Sequence, residues 1–213
     1  DAIISIHGSR ELFGNWHNAR LAAEQVSGGC EIVVIDSRNT CAGQGMLVQM
    51  AAEAAAAGLP ADAIVTTVRN AIERVYSIYY VEATDHLQRH DIMAESHAVL
   101  GSMLNVKPFL SIEEGELIII EKVRTRMQAV ERLAEFLVEF EHLEDAVIVQ
   151  HRQNLTDQSR MLQDRLAVEF PERQFPYMMY GASLATLLGP EATGIVVLER
   201  EHEDYFNGEY NDD

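Results

Sequence analysis

Short apolar runs of β character alternate with longer helix-patterned stretches along nearly the whole chain. That alternation restricts the fold more than any other feature. The first runs are AIISIH (Ala2–His7) and EIVVID (Glu31–Asp36), with helical patterns over Trp16–Val26 and Gly45–Ala57. A third helix opens at Pro60 and reaches Arg74, its proline placed where a missing N–H leaves nothing unpaired. A βαβα order predicts a parallel sheet with helices on its faces. Six further strand candidates follow, at Ser77–Ala83, Val106–Ile112, Leu117–Lys122, Ala146–Gln150, Phe175–Tyr180 and Ile195–Glu199. Helical patterns cover Ser96–Leu104, Thr125–Phe140 and Asp157–Phe170. Glu114 and Gly115 form a hairpin tip between two of the strands, so this second sheet is mixed.

The expected architecture is α/β in two parts. Residues 1–75 form a partial first domain and residues 76–200 a second domain with a mixed sheet of six strands, the number of runs counted above. Residues 201–213 form an acidic tail. No Pro/Gly/Ser-rich linker separates the parts, which predicts close packing. A two-stranded sheet is a poor core by itself. The first domain therefore calls for a preceding N-terminal segment, or another chain, to complete its sheet.

The 213 residues carry a net charge of −18, from 34 acidic and 16 basic side chains. Neither a phosphate backbone nor an anionic bilayer attracts such a chain, which argues against a nucleic-acid or membrane-surface partner. No apolar run approaches 18 residues, so no membrane-spanning helix is expected. Two cysteines, Cys30 and Cys41, make no disulfide framework, and no secretory leader is visible. A reducing cytoplasm is the expected setting.

Lys122, Arg124 and Thr125 stand between a strand end and a helix start. Free amides, a positive dipole end and a guanidinium there suit an anionic group; an ordinary solvated helix start is the alternative. Ser9 and Asn15 flank a glycine-containing turn before the first helix. They read either as helix caps or as a cradle for a carboxylate. Ser9 with His7 or His17 does not make a hydrolase, because the strained G-x-S-x-G elbow and an orienting acid are lacking. His86 and His90, four apart, match a metal-ligand spacing but fit a solvated helix face better, and no metal is expected. Gly43-Gln-Gly45 lacks the remainder of a dinucleotide fingerprint, and no cofactor is expected. The small side chains of Ala51–Ala57 suit either tight helix packing or a smooth apolar groove.

Four segments together resemble the DegV family of bacterial fatty-acid-binding proteins. ISIHGSRELFGNWHNA (Ile4–Ala19) is similar to the family's ISIHxSSxLSGTYQSA. VIDS (Val34–Ser37) with AGQG (Ala42–Gly45) is similar to VIDS…GxG. LGSMLNVKP (Leu100–Pro108) followed by KVRT (Lys122–Thr125) is similar to LGxLLxIKP…KxRT, and GPEATG (Gly189–Gly194) to GPGAxG. Each motif is weak alone; their order and spacing are specific.

The resemblance implies two α/β domains with an acyl chain buried in the first. It places the carboxylate near the domain junction, held by hydroxyls and the arginine of KxRT. On this chain that implies Arg124, Ser9 and Asn15 at the head group, and Phe13, Trp16 and Met46 along an acyl tunnel. A long-chain fatty acid is then the bound ligand, and a separate fatty acid kinase subunit a possible partner; the binding protein is no catalyst. The chain lacks the family's opening segment, which would add the first strand and a Thr/Ser-rich loop. It also departs within the motifs. Phe13 replaces the serine of SGT, Asn15 its threonine, Leu187 the histidine of HTGPG, and His90 to Met93 stand in place of GGRI. Phe13 either extends the tunnel or plugs it. These changes keep a second function open: a module that retains the fold without the lipid.

Overall fold

The computed structural model describes residues 2–26, 28–90, 92 and 106–201. The predicted helix Ser96–Leu104 and all but the first residue of the acidic tail lie outside this set. Strands β1 (Ala2–His7) and β2 (Glu31–Asp36) pair in parallel, from Ala2 opposite Glu31 to His7 opposite Asp36. Between them runs α1 (Asn15–Gln25), which packs on both strands. Helices α2 (Cys41–Ala56) and α3 (Ala61–Ile72) lie against one another and reach β1.

The second sheet has six strands in the order β5-β4-β3-β8-β6-β7. They are β3 (Val75–Val81), β4 (Lys107–Glu113), β5 (Glu116–Val123), β6 (Leu143–Gln150), β7 (Tyr177–Met179) and β8 (Ala192–Glu199). Only β6 with β7 is parallel; the other four pairings are antiparallel. The helices among the described residues of this part are α4 (Asp85–Arg89), α5 (Arg126–Val138), α6 (Asp157–Glu169) and α7 (Ala182–Leu188).

Alternation along the strands sorts the core into two layers. On one face Val75, Tyr79, Val196 and Leu198 join Leu47 of α2, Val68 of α3 and Ile35 of β2 in one continuous cluster. On the other face Ile78, Tyr80, Ile195 and Val197 meet Leu133 and Leu137 of α5 and Leu162 and Leu166 of α6. The pair α2–α3 is therefore sandwiched, with the small sheet on one side and the large sheet on the other. This layering needs close backbone approach. A Cβ on Gly43 would lie 3.0 Å from Val75 Cγ1 and 2.7 Å from Asn39 Oδ1.

Capping follows the side chains available. Thr125 accepts from the Gln128 amide at 3.2 Å while Gln128 Oε1 accepts from the Arg124 amide at 3.0 Å, a reciprocal arrangement close to a capping box. Thr156 caps α6 by accepting from the Ser159 amide.

Candidate functional site

A broad, solvent-open recess lined mostly by apolar side chains runs along β1. It encloses about 790 Å³ and is lined by Ile4 and Ile6 of β1, Val48, Ala51 and Ala55 of α2, and Ile64 of α3. The alanine run supplies its floor: methyl side chains leave width that larger residues would fill. Among the described residues β1 pairs only with β2, so no described strand covers its other edge. One carbonyl on β1 is already met, because Gln44 Nε2 donates to Ile6 O at 3.1 Å. Its side chains are apolar apart from Ser5, and backbone polar groups share its wall.

Phe13 is not among the residues that line the groove and packs near Gly8 after β1. A Cβ on Gly8 would sit 3.2 Å from the Phe13 ring and 3.3 Å from Gln44 Oε1, so these three residues crowd together there. Met46 is partly buried against the core beneath α2 and does not line the groove. Trp16 lies elsewhere, half-buried, with the guanidinium groups of Arg10 and Arg20 each 5.6 Å from its ring centre. It borders a separate cleft with Asp36 and Arg38.

Ser9 is fully buried, and its hydroxyl donates to Gly115 O at 2.6 Å. Its Oγ also accepts from the Glu11 amide, and its carbonyl accepts from the Leu12 and Phe13 amides. Ser9 is thus neither a helix cap nor a nucleophile beside a base; His7 instead contacts Ser5 at 2.7 Å. Asn15 is exposed as the first residue of α1, and the cap position is Gly14, which offers no side chain.

Arg124 is exposed, and no residue among those described pairs with its guanidinium. It follows the last residue of β5, whereas Gly115, Ser9's partner, precedes the first. At about 3.3 Å per residue the strand separates them by roughly 25–30 Å. One carboxylate does not span that distance, so the structure does not bring Arg124 and Ser9 to a common head group. Near the Arg124 end, Glu82 is held by Tyr80 OH at 2.5 Å, Lys107 Nζ at 3.2 Å and Arg126 at 3.3 Å. Leu187, at the histidine position of the family motif, is buried in the core.

His86 lies in α4 with Nδ1 3.3 Å from Thr186 O. Among the described residues no group of three or more His, Cys, Asp or Glu is arranged to hold a metal ion, and no helix is long and apolar enough to cross a membrane.

A parallel two-stranded sheet and a six-stranded mixed sheet, with helices packed between and around them, define a two-sheet α/β protein. Comparison with known proteins gives the family. Residues 1–200 match the family described as "Uncharacterised protein, DegV family". A DegV domain-containing protein of Listeria monocytogenes is 32% identical over 198 residues, covering 92% of this chain and 69% of the relative. The chain belongs to the DegV family. Among solved structures, a fatty acid binding DegV family protein of Streptococcus agalactiae superposes with a TM-score of 0.82 at 27% identity, over 94% of this chain and 71% of its own. The Fatty Acid Kinase B3 protein of Streptococcus pneumoniae, loaded with linoleic acid, shares the fold, with a TM-score of 0.79 at 18% identity over 93% of this chain and 72% of its own.

Proposed function

We propose that this chain is a carrier for a long-chain fatty acid. It performs no covalent chemistry itself and presents the acyl group to a separate kinase subunit. The observation that carries this reading is the apolar groove of about 790 Å³ between β1 and α2. Each methylene buried there contributes about 0.8 kcal/mol before ordering costs. A further strand on the open edge of β1, from a segment outside these residues or from another chain, would roof the groove into a tunnel. The S. agalactiae relative is described as fatty acid binding and the S. pneumoniae one as a fatty acid kinase B protein; both support the reading.

A second reading is a DegV module that has kept the fold and lost the ligand. The occupied hydroxyl of Ser9 and the buried Leu187 favour it. Native mass spectrometry of the protein after gentle purification, followed by palmitate titration, separates the two. The carrier retains or takes up one acyl chain, and Ala51→Trp, which fills the groove, abolishes uptake. A chain that takes up none fits only the second reading.

A further inference from the structure

A second cleft lies apart from the recess along β1. It runs from α5 past the tip of the β4–β5 hairpin to the end of α3 and encloses about 450 Å³. Its apolar floor includes Tyr76 of β3, Ile112 of β4, Ile120 of β5 and Phe136 of α5. Tyr76 and Ile120 are left 39% and 40% exposed, an unfavourable state for large apolar side chains side by side. Phe140, just past α5, adjoins them: its ring centre is 5.1 Å from that of Tyr76 and 5.2 Å from that of Phe136. The sheet itself brings Ile120 to the cleft. Phe109 pairs with Glu121 and Leu110 with Ile119, so Ile120 is the extra residue of a β-bulge, opposed by no residue of β4. A bulge re-aims the side chain it carries.

The rim is acidic. Glu73, Glu113, Glu114 and Glu139 line it, against Arg38 and Arg132. Each guanidinium is already shared by two carboxylates. Arg38 meets Glu73 at 3.0 Å and Glu114 at 2.8 Å, and Arg132 meets Glu121 at 2.8 Å and Glu139 at 3.2 Å. The cleft therefore offers apolar surface inside a ring of excess negative charge. Like charge repels unsuitable partners as effectively as opposite charge draws suitable ones. A second copy of this chain brings the same acidic rim. The chain's own last residues, 202–213, contain Glu203, Asp204, Glu209, Asp212 and Asp213 and no lysine or arginine. Neither complements the rim.

We propose that this cleft docks a cationic, amphipathic segment of a partner protein. An apolar side chain of that segment seats against Tyr76, Ile120 and Phe136, and flanking lysines or arginines face the carboxylates of the rim. The apolar anchor supplies the residence time, and the charges supply steering and orientation. The inference is independent of the acyl ligand and of the carrier reading.

The test is calorimetric titration of the full chain with two peptide probes of equal charge, acetyl-KRLWLRK-amide and acetyl-KRSSSRK-amide. Wild type binds the first at least about tenfold more tightly, the scale of one apolar side chain leaving water. Ile120→Ser removes that preference and leaves the serine probe unchanged. Glu113→Gln with Glu139→Gln weakens both probes by about threefold or more and flattens their salt dependence. Asp164→Asn with Glu172→Gln, outside the cleft, changes neither. Where Ile120→Ser does not fold, the contrast between the two charge variants still decides. Equal affinity of wild type for both probes, or equal losses from the two charge variants, overturns the inference, since either reports bulk attraction to a chain of net charge −18. Sedimentation equilibrium that finds a dimer in wild type and a monomer in Ile120→Ser gives the cleft to a second copy and overturns it. A chain ended at Glu201 that binds the first probe about tenfold more tightly than the full chain gives the cleft to the acidic tail and overturns it too.

Discussion

The hydroxyl of Ser9 donates a 2.6 Å hydrogen bond to the carbonyl of Gly115, 106 positions further along the chain. The loop after β1 is thereby fastened to the tip of the β4–β5 hairpin. Arg38 strengthens the same junction, reaching Glu114 at 2.8 Å and Glu73 at 3.0 Å. These two ion pairs are exposed and contribute little; the buried hydrogen bond is the stronger tie.

Ser9→Ala removes that tie and leaves the Gly115 carbonyl and the Glu11 amide short of a partner. It should destabilise the fold by about 1–3 kcal/mol. Gly115→Ala should cost a similar amount. Gly115 holds φ at +88°, and a Cβ there would lie 2.6 Å from Ser9 Oγ. Urea unfolding of both single variants and the double variant gives the coupling. Purely additive losses would show that the two residues act separately.

Gly194→Ala tests the close packing of β3 and β8. The new methyl meets the Tyr79 ring and the Ile78 carbonyl, and the carbonyl belongs to a paired strand that does not yield. A loss of about 1–3 kcal/mol or more is expected, read as a lowered denaturation midpoint at unchanged slope. Tyr79→Leu in the same background should recover part of it by making room.

Glu82 gives the fold an acid-sensitive contact. Burial pushes its carboxyl up, but hydrogen bonds from Tyr80, Arg126 and Lys107 outweigh that and hold it below its ordinary value. Its folded pKa therefore lies below the unfolded value of about 4.3. The stabilisation is complete above that value and is lost as pH falls through the folded pKa. Glu82→Gln should be less stable than wild type by about 1–2 kcal/mol at neutral pH. The gap should narrow in acid as pH falls through the lowered folded value. Urea midpoints across that range check it; a gap independent of pH would assign the loss to packing.

Strand and helix positions were largely legible because apolar periodicity carries them. β1 and β2 match the sequence reading to the residue, and the six runs of the second part became the six strands of the large sheet. The misses have physical causes. α2 begins at Cys41, not Gly45, because glycine at 43 answers to packing against Val75 rather than to a loop. β8 begins at Ala192 rather than Ile195, because Gly194 makes space for the Tyr79 ring inside a strand. β6 begins at Leu143 rather than Ala146; its charged start, Glu144 and Asp145, coincides with a register shift against β8. α4 and α7 are too short to show a period. For the candidate site, the alanine run on the groove floor was visible, whereas the Ser9–Gly115 hydrogen bond joins residues 106 positions apart and leaves no trace in local spacing.

Arg124 was the strongest anion anchor in the sequence, and its placement makes a sharp prediction. It is exposed, its guanidinium has no partner among the described residues, and the length of β5 parts it from Ser9. Arg124→Ala should therefore change folding stability by no more than about 0.5 kcal/mol, as for an isolated surface substitution. Standing roughly 25–30 Å along β5 from the carbonyl that Ser9 meets, it should also leave palmitate affinity within about twofold, since a screened, exposed charge acts weakly at such a distance. Titration of palmitate and 1-hexadecanol against Arg124→Ala and Arg124→Lys reads both expectations. A selective loss for the acid, partly restored by lysine, would instead put the carboxylate at the far end of β5. Such a result would require the ligand to lie across the opposite end of the large sheet.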